Sequence, residues 1–334
     1  MNNGNNIRNA SVDHAKAIGI FLIGIGHFLT VGSNLRIVLY SFHVPLFFVL
    51  AGIAASVRSP SNQSIARRIL KLGKRVLLPY MVWFWISAIL PYFLWGTSLR
   101  ELLMDFLFLR GKMIWNTALW FCPCYFITMC VFEIMCCITQ RKAKGLLVSA
   151  ILAFCLAVMF DCLQVENCLL GIDKCCLMYV FVILGYLTRR VAEKHQSWMF
   201  GIVCMTVFAV SGVVSSIYHA GNNISVLNVD YNNIVVFAIL AAVMSLSFVG
   251  FCTVLPPSKF VSIIAKNTLF IMSTHLVFRQ ICDLYIDVPD SYFFMCLVLI
   301  PGYMIVIAAY NKLAIKNDGW QKVGSWLGLG CSGE

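Results

Sequence analysis

Charge is what this chain has least of. Asp, Glu, Lys and Arg together make up 12% of its 334 residues, against 60% hydrophobic residues. That balance excludes an ordinary water-soluble domain, where about a quarter of residues are charged. The chain also lacks the ~10-residue alternation of polar and apolar side chains that a membrane β-barrel requires. No Gly/Ser-rich or low-complexity stretch separates one region from another, so a single domain over residues 1–334 is expected. No small-residue cleavage pattern follows the first apolar stretch, which reads as an uncleaved helix and not as a signal peptide.

What is present is a series of apolar runs of about 18–22 residues, the length that crosses a ~30 Å hydrocarbon layer as helix. They fall near residues 15–33, 37–56, 77–95, 117–138, 145–163, 175–188, 199–217, 232–253, 268–285 and 292–311. The expected fold is therefore all-α, a polytopic integral membrane bundle of about ten transmembrane helices. The net charge of +11 does not point to nucleic acid, because the basic residues concentrate in every second loop. Arg67, Arg68, Lys71, Lys74, Arg75, Arg141, Lys142, Arg189, Arg190, Lys259 and Lys266 fall on one side. The other side holds little more than Arg36, Arg100, Arg110, Lys112 and Lys174. By the positive-inside rule both termini are cytoplasmic. The basic segment from Val57 to Arg75 reads as an inner loop anchored on anionic lipid. Trp115, Tyr218 and Tyr231 fall at expected interface positions, and Asn223-Ile224-Ser225 forms a sequon of little weight.

Fifteen cysteines would suggest a disulfide scaffold in a small secreted chain. Here most, including Cys130, Cys155, Cys204, Cys252 and Cys296, lie within apolar runs, where they act as small hydrophobes. The remaining pairs lack zinc-site or redox-motif spacing, so no metal is expected.

An ionisable side chain inside a membrane helix costs at least ~2.5–3.5 kcal/mol, which makes each a functional candidate. Those within the runs are His27, His43, Glu133, His275, Arg279 and Asp283. Counting 1.5 Å per residue puts His27 about 18 Å, His43 about 21 Å and Arg279 about 16 Å from the inner face. They therefore share a depth. His275, Arg279 and Asp283, spaced by four, line one helix face. Lys16 and His27 stand about three turns apart and point the same way. His14, His195 and His219 fall in or near polar segments and receive no role.

Several blocks resemble the acyltransferase 3 family of integral-membrane enzymes, including its fucose 4-O-acetylase group. The first block runs from Asp13 and Lys16 through Gly19 and Ile20 to Gly26-His27. It is similar to the family's opening helix, where a basic residue precedes an essential histidine by about three turns. The second is Ser41-Phe42-His43-Val44-Pro45-Leu46-Phe47-Phe48 with Gly52, where Ala51 stands in place of the family's usual Ser. Further matches are Arg75 through Pro79-Tyr80, Leu119-Trp120-Phe121, and Asn267-Thr268-Leu269 leading to His275.

The resemblance implies a membrane O-acyltransferase of the bacterial cytoplasmic membrane. Its donor is acyl-CoA, taken as acetyl-CoA, and its acceptor a hydroxyl of a surface glycan or lipid-linked sugar. His27 is then the expected general base, with a resting pKa near 6.5 that suits the task. His43 and Arg279 are expected to orient His27 or stabilise an oxyanion. Lys16 and Arg75 are the expected contacts of the coenzyme, and Glu133 is expected to balance Lys16. Asp13, Trp120 and His275 complete the candidate set. The rival reading is a secondary transporter or flippase, but Pro45, Pro91, Pro123 and Pro301 do not recur at matching places in two halves.

Overall fold

The computed structural model describes residues 10–57, 64–108, 116–165, 168–193, 197–222, 224–285, 292–314 and 318–330, without the side chains of 90, 94–95, 281–285, 292–299 and 318. All its regular elements are helical: α1 (Ala10–Phe28), α2 (Asn34–Tyr40), α3 (His43–Val57), α4 (Ile65–Trp95), α5 (Leu99–Phe108), α6 (Phe121–Ile138), α7 (Ala143–Cys162), α8 (Ile172–Leu187), α9 (Trp198–Tyr218), α10 (Ile234–Cys252), α11 (Lys259–Lys266), α12 (Thr268–Tyr285), α13 (Tyr292–Ala314) and α14 (Asp318–Leu327). Tight helical turns at Thr117–Trp120, Leu169–Gly171 and Arg189–Ala192 lead into or follow them.

Among the described residues, seven helical segments are long and apolar enough to cross a membrane. They number eight when α11 and the adjoining part of α12, bent by 72° at Asn267, are taken as one. The first and the tenth expected spans, α1 and α13, are not among them. Asp13, His14, Lys16 and His27 lower the hydropathy of α1, and the helix tolerates them because it is central. It packs against α3, α10, α11 and α12, so its polar groups face protein and not lipid.

The expected second span is a broken helix. Pro45 has no N–H to offer the Ser41 carbonyl, and the helix is interrupted at residues 41–42 between α2 and α3, which still form one span from Asn34 to Val57. The break is sealed locally: the Ser41 hydroxyl lies 2.8 Å from the Ile37 carbonyl and 2.6 Å from the Ser215 hydroxyl on α9. The expected basic inner loop is also helical over much of its length. Its residues from Ile65 onward are the first turns of α4, whose 31 residues extend to about 46 Å, well beyond the hydrocarbon layer. The short helices α5, α11 and α14 were not anticipated. Ser98 and Glu101 cap α5 reciprocally, the Glu101 carboxylate accepting from the Ser98 N–H at 2.9 Å and the Ser98 hydroxyl from the Glu101 N–H at 3.2 Å. These hydrogen bonds hold the Glu101 carboxyl below its ordinary range.

Two packed cores divide the bundle. One is built on α3, α6, α8 and α10, the other on α1, α4 and α12, and Leu72, Trp120, Phe121 and Tyr125 border both. The apolar window of the segment formed by α2 and α3 is 78% buried, whereas that of α7 is only 17% buried, so α7 is peripheral and turns its apolar side chains outward. Lys174 lies inside the first core and not in an outer loop. It is fully buried and pairs with Asp173 at 2.7 Å. Tyr231 is likewise buried, against Phe237, and does not sit at an interface. Asn223 of the sequon, Trp115 and His195 lie outside the described residues.

Between helices in lipid, association depends on close packing, and small residues permit it. Gly52 of α3 and Gly185 of α8 do this reciprocally. A side chain at Gly52 would meet the Val182 carbonyl, and one at Gly185 the Val49 carbonyl. Replacing either by Ala is expected to lower stability by about 1–3 kcal/mol through overpacking. Gly302→Ala, where nothing lies within 4 Å, is expected to be neutral. Thermal unfolding of the three variants in detergent checks this contrast.

Candidate functional site: two cavities on either side of a three-residue wall

Two cavities open at the seam between the cores. The larger, about 500 Å³, is lined by Lys16, Ile20 and Ile23 of α1, Phe47, Ala51, Ala54 and Ala55 of α3, and residues of α4, α6 and α12. The smaller, about 210 Å³, contains His27, Arg36, Tyr40, His43, Thr117 and Trp120, with Ser225 to Asn228 of the loop before α10. Ile23, Phe121 and Met272 border both and form the wall between them.

The local structure explains why these side chains converge. Lys16, Ile20, Ile23 and His27 are spaced by four, three and four, a single stripe on α1. Arg36, Tyr40, His43, Phe47, Ala51 and Ala54 repeat the spacing along α2 and α3. The two stripes face the same pair of cavities from different helices. The alanines leave the room that larger residues would fill. Ala51, where the resembling family usually has Ser, lines the larger cavity, so the site is built without that hydroxyl.

In the smaller cavity, His27 Nδ1 lies 3.2 Å from the Tyr40 hydroxyl. Its ring centroid is 5.2 Å from that of His275. Tyr40 packs edge-on against His43, with centroids 4.8 Å apart. His43 Nδ1 is 2.5 Å from the Leu39 carbonyl, and His275 Nδ1 is 2.8 Å from the Met272 carbonyl. A carbonyl only accepts, so both imidazoles carry their proton on Nδ1 and present a bare Nε2. In His275 that Nε2 is buried without a hydrogen-bond partner. His43, as a neutral ring with Nδ1–H committed, offers an acceptor and not a donor. Arg279 lines neither cavity. Its guanidinium donates to the His27 backbone carbonyl and stacks 4.9 Å from the Phe28 ring centroid, so it fixes the end of α1. The side chain of Asp283 lies outside the described residues.

The larger cavity gathers five cationic side chains, Lys16, Arg68, Lys71, Arg75 and Arg141, against one acid, Glu133. Glu133 pairs with Arg68 at 3.3 Å, which corrects the expected partnership with Lys16. Part of the basic segment thus faces a cavity instead of lipid headgroups. Asp13 is buried on α1 and lines neither cavity. Among the described residues no three His, Cys, Asp or Glu side chains come together as metal ligands would.

Sequence reasoning missed Arg36 and Tyr40. The readable signal was their spacing: Arg36, Tyr40 and His43 stand at i, i+4 and i+7 in a run otherwise apolar on that face. The outer segment from Tyr218 to Asn233, long enough in the sequence to form the mouth of a substrate site, supplies the loop over the smaller cavity. That loop is pinned by the paired Ser225 and Asp230 backbones, each N–H 2.9 Å from the other's carbonyl.

Behind this loop, at the end of α9, His219 is fully buried and neither ring nitrogen has a hydrogen-bond partner. Burial lowers its pKa from the ordinary 6.5, against a smaller opposing effect of Asp230. The folded state therefore binds fewer protons than the unfolded state below pH ~6.5, and stability declines as pH falls through that range. His219→Phe is expected to flatten the fall in melting temperature between about pH 7 and pH 5. An unchanged slope in the variant would show that another group is responsible.

The family model described as an acyltransferase domain, acyltransferase 3, matches residues 9–311. No curated protein and no solved structure matches the chain.

Proposed function

The chain belongs to the acyltransferase 3 family, and from that premise we propose that this membrane acyltransferase transfers an acetyl group from acetyl-CoA to a hydroxyl of a surface glycan or its lipid-linked precursor. The observation that supports this reading most is the pair of cavities, one strongly cationic and one histidine-lined, separated only by Ile23, Phe121 and Met272. The topology we propose has ten spans, α1 and α13 included, with both termini cytoplasmic in a bacterial inner membrane. The cationic cavity then faces the cytoplasm, where the coenzyme is found.

The larger cavity fits the donor by its chemistry. Lys16, Lys71, Arg75 and Arg141 offer positive charge for phosphates, and Ile20, Phe47 and the alanines offer an apolar passage for a pantetheine arm. When bound, the coenzyme supplies an acyl group activated as a thioester. The smaller cavity serves the acceptor. The Tyr40 hydroxyl, 3.2 Å from His27 Nδ1, fixes the ring, and in the tautomer that carries its proton on Nδ1 the free Nε2 takes the proton of the acceptor hydroxyl. His43 Nε2 is suited to accept from a neighbouring hydroxyl and orient the sugar. Arg279 and Tyr40 act as positioning residues, and Trp120 offers an aromatic face to a sugar ring.

His27→Ala is expected to reduce acetyl transfer by about 10²–10⁴-fold at unchanged protein level, and Tyr40→Phe by less. Acetyl-CoA is expected to raise the melting temperature of the wild type and of His27→Ala, but not of the Lys71→Ala/Arg75→Ala double variant. Acetylation is read by the mass of surface glycans in cells expressing each variant. Full activity in His27→Ala would refute the assignment of the base. Stabilisation by glycan without stabilisation by acetyl-CoA would favour the transporter.

A further inference from the structure

We propose that the sugar unit entering the smaller cavity carries an acid group, a carboxylate or a phosphate, and that Arg36 grips it. The inference rests on the reading that this cavity takes the glycan hydroxyl, and it specifies the class of glycan.

Among the described residues lining this cavity, Arg36 carries the only permanent charge, and none is Asp or Glu. Two contacts hold its guanidinium in place. One nitrogen donates to the Leu29 carbonyl at 2.9 Å, and the group lies 4.6 Å from the Tyr40 ring centroid. Neither contact neutralises the charge. Its Nε is buried with no hydrogen-bond partner, and among the described residues no carboxylate pairs with it. A half-buried guanidinium left in this state is costly. A planar acid is the partner that answers both its fork of N–H groups and its charge. A neutral sugar hydroxyl answers only a hydrogen bond.

The position of the acid relative to the chemistry follows from Tyr40. The same side chain stacks under Arg36 and meets His27 Nδ1 at 3.2 Å. An acid held by Arg36 is therefore about one tyrosine ring away from the base. The cavity, at about 210 Å³, is below the ~300–1,000 Å³ of pockets that take larger ligands, so one sugar ring enters. The acid and the reacting hydroxyl then belong to the same ring, as in a uronic acid or a phosphorylated sugar. Thr117, Ser225 and Asn228 supply neutral hydrogen-bonding groups for the remaining hydroxyls.

The test uses the full-length protein in lipid nanodiscs with radiolabelled acetyl-CoA. The acceptors are methyl glycosides of the gluco and galacto series as uronates, as 6-phosphates and unsubstituted. The wild type is expected to prefer uronates or 6-phosphates over the neutral glycosides by roughly 10- to 100-fold in kcat/KM, and the better of the two identifies the acid. Arg36→Gln is expected to bring that preference close to unity, mainly through KM, while Arg36→Lys retains an intermediate preference because it keeps the charge and loses the fork. A merely structural Arg36 would change overall activity and leave the preference intact, which would overturn the proposal. Equal use of neutral and acid glycosides by the wild type would overturn it as well. Thermal stabilisation by the same glycosides separates the two readings. Acid-dependent and Arg36-dependent stabilisation without any transfer would sink the acylation reading and leave the acid site standing.

Discussion

Everything functional in this bundle depends on keeping charged and titratable side chains at membrane depth away from lipid. An exposed ionisable group there is expensive, and the expense disappears only when the group faces protein, a cavity or a partner. The fold meets this condition by placing at the centre the helix that carries Asp13, His14, Lys16 and His27. α1 is surrounded by α3, α10, α11 and α12, and its stripe from Lys16 to His27 opens onto cavities. The peripheral helices, typified by α7, carry few polar groups and expose apolar ones instead.

That arrangement needs two cores, because a single close-packed core would have no space along α1. The α3–α8 contact, where Gly52 and Gly185 bring backbones together, rigidifies one core. Asn116 helps to tie the other, donating to the Ser87 hydroxyl at 3.0 Å and the Ser273 carbonyl at 2.7 Å. Close packing within each half leaves the seam between them as the place where volume is available. The small residues Ala51, Ala54 and Ala55 and the break at Pro45 lie along that seam on the α3 side. Across α2 and α3 the i, i+4, i+7 spacing of Arg36, Tyr40 and His43 brings all three to the same cavity.

Much of this was legible in the residues before the structure. Apolar runs located the helices to within a few residues where the runs were uninterrupted, as at α6, α9, α10 and α12. Ionisable residues inside those runs picked out His27, His43 and His275, which the fold brings into one cluster with Tyr40 as the link. What failed to show has physical reasons. The basic first turns of α4 carry no apolar run, so hydropathy read them as loop, although Ser64 accepting from the Arg67 N–H marks a helix start. Arg36 was counted as a loop charge because it precedes the apolar run, while its helical spacing to His43 placed it on the functional face. Glu133 was matched to Lys16 by sign alone, whereas the α4–α6 contact set its partner as Arg68. Pairings between helices depend on azimuth, which a depth count does not contain.

The distribution of charge between the two cavities gives the architecture a direction. In the proposed reaction the two partners meet near Ile23, Phe121 and Met272, and each has to be kept from the other's place. The larger cavity, with five cations, suits a ligand of several negative charges. The smaller, with one arginine beneath a folded loop, suits a ligand of one, and its volume excludes anything longer than a sugar ring. A polyphosphate is therefore retained on one side by charge and barred from the other by size. On the same proposal, the apolar side chains of Ile23, Phe121 and Met272 between the cavities would keep water from the donor's path. Sorting by charge number and by volume, and not by any single hydrogen bond, is how the proposed mechanism lets one stripe of α1 face two substrates.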